Sequence, residues 1–125
     1  MVEGKKTGTE RAERAGRLSV VATATDGIHV VSLAGEIDHD SGDMLRQALD
    51  ACDTPCPRIV VDLRQVTFMD SSGINVFIAA HRKVGEAGGW LRLAAPGEAV
   101  MRTLSLVGVD AVIDCRETLR QALRD

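Results

Sequence analysis

Val66-Thr67-Phe68-Met69-Asp70-Ser71-Ser72-Gly73-Ile74-Asn75-Val76-Phe77-Ile78 decides how this 125-residue chain is read, because extended periodicity gives way to helical periodicity within it. Upstream, Arg58-Ile-Val-Val-Asp62-Leu63 is a short β-branched run suited to a buried strand. Downstream, Ile74, Phe77, Ile78 and Val84 fall on roughly one face of a helix, which Gly88 and Gly89 stop. Asp70, Ser71 and Ser72 thus stand at the start of that helix. Unpaired N–H groups and the positive end of the dipole favour oxygen ligands and negative charge there. Asp and Ser are also the commonest helix caps, so these residue types alone point first to a purely structural role.

Working outward, Leu18 to Ala24 and Ile28 to Ala34 are β-rich runs joined by Asp26-Gly27, the dipeptide that best supports a tight hairpin. Met44, Leu45, Ala48, Leu49 and Cys52 lie three, four, seven, eight and eleven positions after Ser41, which predicts an amphipathic helix capped by Asp40 or Ser41. Pro55 and Pro57 end it. Trp90-Leu-Arg-Leu-Ala94 alternates as a strand with one partly wet face. Glu98 to Val107 reads as a helix with Val100, Met101 and Leu104 inward, closed by Gly108. Ala111 to Ile113 reads as a short final strand and Thr118 to Leu123 as a last helix. This order predicts one α/β domain over residues 18–125, with a mixed sheet of about four to five strands and helices packed mainly on one side. Residues 1–17 are polar and charged and read as a flexible leader outside the fold.

Composition narrows the function classes. Net charge is −3, and the first seventeen residues carry five basic and three acidic groups, so residues 18–125 hold −5 (−3 less +2). An acidic domain with two Phe, one Trp and no Tyr lacks the clustered cations and stacking aromatics of a nucleic-acid surface. It suits docking onto another protein. No run approaches a membrane span and no secretory signal opens the chain, so a soluble, cytosolic protein without membrane attachment is expected. Cys52, Cys56 and Cys115 form no C-x-x-C pair, and His29, His39 and His81 complete no zinc spacing; free thiols and no metal are expected.

Val66-Thr-Phe-Met-Asp70-Ser71-Ser72-Gly73 followed by an apolar helix closely resembles the signature of the STAS domain family, in particular its bacterial anti-sigma factor antagonists. Gly35-Glu36-Ile37-Asp38 resembles the segment that closes the family's second strand, and the likeness extends over about residues 18–123. The sequence departs from the family pattern at Asn75, where the family often has Gly, and in Gly108 to Asp114, which lacks an aromatic. The resemblance implies a STAS fold and a non-catalytic, cofactor-free binding protein. It also implies that Ser71, directly after the Asp, is phosphorylated by a partner kinase. Asp38, Asp70, Ser71, Ser72, Gly73 and Asn75 are the implied partner-binding residues, with Asp38 near enough to Ser71 to orient its hydroxyl. The implied partners are an anti-sigma factor serine kinase and a PP2C-type phosphatase.

Two other readings fit the residues less well. A STAS module of a transport or sensory assembly would bind a small ligand or nucleotide, but the glycines at 35, 42, 73, 88 and 89 form no P-loop. An enzyme would use Ser71-x-Gly73 as part of a nucleophile elbow, but Met69 stands where that motif needs Gly, and His81 lies about 15 Å down the same helix.

Overall fold

The computed structural model describes residues 11–15, 17–52 and 54–124. Six strands form one sheet in sequence order: β1 (Arg11–Ala15), β2 (Leu18–Thr25), β3 (Ile28–Ile37), β4 (Arg58–Met69), β5 (Trp90–Ala94) and β6 (Asp114–Arg116). The first three run antiparallel and the last four run parallel. Helices α1 (Gly42–Asp50), α2 (Ser71–Glu86) and α3 (Glu98–Leu106) make the crossovers, and α4 (Leu119–Ala122) follows β6. The β2–β3 hairpin turns at Asp26 and Gly27, both with positive φ (51° and 79°), as the dipeptide predicts.

Two apolar layers sandwich the sheet. On one face Leu45 and Leu49 of α1, Ile74, Phe77 and Val84 of α2, and Val100 and Leu104 of α3 meet Leu18, Val31, Leu33, Ile59, Val61, Leu63 and Leu93. On the other, Ala122, Leu119 and Leu123 cover Ile28, Val30, Val60 and Ala94. Strand β4 is therefore buried on both sides from Ile59 to Leu63, which explains an apolar run interrupted only by Asp62, whose buried carboxylate accepts from the Arg64 guanidinium at 2.8 Å. Phe77 is fully buried and supplies about 2–3 kcal/mol of transfer free energy.

Two expectations are corrected. The leader boundary at residue 17 is too late, because Arg11–Ala15 form β1, pairing from Arg11 opposite Ala22 to Ala15 opposite Leu18. A backbone ladder on an open edge holds this strand, so no apolar alternation announces it. It also brings the sheet to six strands, where four to five were expected. The remainder of the proposed leader, apart from Arg17, lies outside the described residues. The final strand is displaced as well. Val109–Ala111 form a 3₁₀ turn and the strand begins at Asp114. Val109 and Ile113, both buried, stand four residues apart, and the Ile113 N–H donates to the Val109 carbonyl at 2.8 Å, which is helical spacing.

Gly35 adopts φ +107° beside a register shift between β3 and β4, and a Cβ there would stand 1.9 Å from the Arg17 carbonyl oxygen. That oxygen accepts from the Glu36 N–H at 3.0 Å. Replacing Gly35→Ala is expected to cost about 3 kcal/mol, read as a fall of about 10 °C in the thermal unfolding midpoint.

Candidate partner-docking site

The site forms where two loops leave the ends of adjacent parallel strands. Ile37 closes β3 opposite Met69, which closes β4, and the Asp70 N–H donates to the Ile37 carbonyl at 3.1 Å. This bond ties the segment holding Asp38 to the segment holding Ser71.

Asp70 is the N-cap of α2 in an extended conformation (φ −103°, ψ −170°), and its Oδ1 accepts from the Ser72 N–H at 2.8 Å. Such a cap contributes about 1 kcal/mol. It also commits Asp70 to the backbone, which leaves Ser71 as the first helical residue with an exposed side chain. Ser72 is half-buried. Asn75 is exposed one turn beyond Ser71 on the same stripe of α2.

Gly73, expected at the partner surface, faces inward. A Cβ there would lie 2.7 Å from Ile37 Cγ2 and 2.8 Å from Met69 Cγ, so the absent side chain is what lets α2 settle on the strand ends. Gly73 is buried, and its missing side chain sets how closely the helix start that carries Ser71 approaches the strand ends.

Asp38 is half-buried, and its carboxylate is held within its own loop. Its Oδ1 accepts from the Asp40 N–H at 3.0 Å and lies 3.4 Å from Ser41 Oγ. Among the described residues it makes no hydrogen bond to Ser71, so the orienting role expected of it has no contact behind it. Ser41 occupies the N-cap position of α1 as expected, but its hydroxyl makes no cap bond. Fully buried, it accepts from the Asp38 N–H at 3.0 Å and lies 3.2 Å from the Asp38 carbonyl oxygen. Ser41 is the knot of this loop. The Asp38-x-x-Ser41 spacing is the sequence signal for this turn. Removing such a buried partner costs about 1–3 kcal/mol.

Sequence reading also passed over Phe68, treated only as part of the motif. It is 48 % exposed, two residues before the cap. Asp38, Asp40 and Asp70 give this rim a negative character, and His39 Nε2 lies 3.3 Å from Asp40 Oδ1.

The comparisons with known proteins agree with this architecture. The family model for the STAS domain matches residues 19–122. An anti-sigma F factor antagonist of Paenibacillus polymyxa is 30 % identical over 101 residues, covering 79 % of this chain and 86 % of that protein. The anti-sigma-F factor antagonist RsfB of Mycobacterium tuberculosis is 31 % identical over 109 residues, covering 84 % and 88 %. The crystal structure of an anti-sigma factor antagonist from Mycobacterium paratuberculosis matches with a TM-score of 0.77 at 34 % identity, covering 85 % of this chain and 91 % of that one. The chain belongs to the STAS domain family. The relatives named above are bacterial anti-sigma factor antagonists. Among the described residues, no helix is long and apolar enough to cross a membrane.

The cysteines lie apart from this rim. Cys56 is exposed, while Cys52 and Cys115 are half-buried, and all three are free. Burial first, then the Asp110 and Asp114 carboxylates, push the Cys115 thiol up to about 11. At pH 8 only about one Cys115 in a thousand is thiolate. Alkylation with iodoacetamide followed by mass mapping is expected to modify Cys56 first and Cys115 last.

Gly73→Ala is expected to destabilise the fold by about 2 kcal/mol in urea unfolding, because the β-branched Ile37 gives way poorly. Near Ser71 it should also raise amide exchange in the first turn of α2.

Proposed function

We propose that the chain is an anti-sigma factor antagonist whose unphosphorylated form binds an anti-sigma factor serine kinase in the cytoplasm and so regulates sigma-factor-dependent transcription. Phosphorylation of Ser71 ends the binding, and a PP2C-type phosphatase restores it. The chain itself catalyses nothing. Asp38, Asp70, Ser71, Ser72 and Asn75 form or support the contact surface.

The observation that carries this reading is the exposed Ser71 hydroxyl at the first position of a 16-residue helix whose cap is already supplied by Asp70. A phosphate there brings about −1.5 to −2 charges. The helix dipole returns about 0.3–1 kcal/mol, and the neighbouring Asp70 carboxylate opposes the new charge. These small terms nearly cancel against a packed domain, so the fold stays as it is. At a docked surface the same charge must be desolvated or repelled, where a like-charge juxtaposition costs several kcal/mol. The switch therefore acts on the complex.

Incubation with the cognate kinase and ATP is expected to place one phosphate on Ser71, located by mass spectrometry. Ser71→Ala should abolish labelling, and labelling that persists in that variant would sink the assignment. Ser71→Asp is expected to weaken kinase binding at least a hundredfold by calorimetry, with the circular dichroism spectrum unchanged.

A further inference from the structure

Three aromatic residues occur in the chain, and two are occupied. Phe77 is fully buried, and the Arg92 guanidinium covers the Trp90 ring at 3.8 Å from its centroid. Phe68 belongs to neither buried cluster. It precedes the inward Met69 and so points to the opposite side of the sheet, the side α4 covers. That cover reaches Ile28, Val30, Val60 and Ala94 and stops short of Arg64, Gln65, Thr67 and Phe68, all exposed. Phe68 is thus an uncovered aromatic ring among polar neighbours, held on a paired strand opposite Glu36. Its Cα lies within about 11 Å of that of Ser71 by chain reach alone.

We propose that Phe68 is the apolar anchor of the kinase-docking surface, a role that rests on reading Ser71 as the kinase's substrate. The partner straddles the rim of the sheet, taking the ring into an apolar pocket and facing the acidic loops with basic groups. A standard interface of about 800 Å² per partner spans both points. Charge complementarity at Asp38, Asp40 and Asp70 governs encounter and specificity more than affinity, so a surface of this kind needs an apolar contact to hold. A rigid aromatic side chain on a strand supplies it with little ordering cost. The two parts divide the work: Ser71 carries the switch, and Phe68 carries affinity that does not depend on it.

The test uses the kinase that the wild-type chain retains from its native extract, identified by transfer of the ATP γ-phosphoryl group to Ser71 Oγ with release of ADP and the hydroxyl proton. Phe68→Ala is expected to weaken its binding tenfold to thirtyfold. The kinase's KM for the chain should rise with it while kcat stays unchanged, because the ring lies away from the reacting atoms. Phe68→Tyr should bind within threefold of wild type, and the thermal midpoint of both variants should match wild type. Binding of Phe68→Ala within twofold of wild type, or a fall in kcat at constant KM, overturns the anchor role and leaves the Ser71 reading standing. If the wild-type chain retains no kinase that phosphorylates Ser71, both readings fall.

Discussion

The close seating of α2 on the ends of β3 and β4 is the constraint from which the rest follows. Gly73 makes it possible, since any Cβ would collide with Ile37 and Met69, and the Asp70 N–H bond to the Ile37 carbonyl makes it specific. Close packing against branched side chains has one arrangement, because protein interiors transmit a misfit instead of absorbing it. The helix start is therefore fixed in space by its own backbone and not by the residues it displays.

That rigidity gives a surface switch its physical basis. A group that gains charge without moving the scaffold must act through whatever docks on it, and the terms at Ser71 are each of the order of 1 kcal/mol. The scaffold behind it is of another scale, with both faces of β4 buried from Ile59 to Leu63 and a helix layer anchored by Phe77. The loop at Asp38 is stiffened separately by the buried Ser41 hydroxyl. Two independently braced loops, joined by one backbone bond, present a preformed rim, which lowers the ordering cost of association.

Much of this was legible in the residues. The hairpin at Asp26-Gly27, the amphipathic spacing of Leu45 and Leu49, the strand at 59–63 and the helix after Asp70 all follow from local periodicity and turn chemistry, and local causes give local signals. Strand β1 was not legible because its partner is a backbone edge. The displaced last strand was misread because Val109 and Ile113 are apolar at a spacing that suits a turn of helix as well as the flank of a strand.

The sequence by itself determined the order of elements from β2 to α3, the family resemblance and the place of Ser71 at a helix start, because an Asp cap, an adjacent hydroxyl and a following apolar face are all encoded within a dozen positions. Tertiary structure alone decided that Gly73 faces inward, that the hydroxyl of the N-cap residue Ser41 ties a loop instead of bonding the first turn of its helix, that Asp38 spends its carboxylate on its own turn, and that Phe68 stays uncovered. Each of these depends on what another strand or helix places opposite the residue, and no pattern along the chain carries that information.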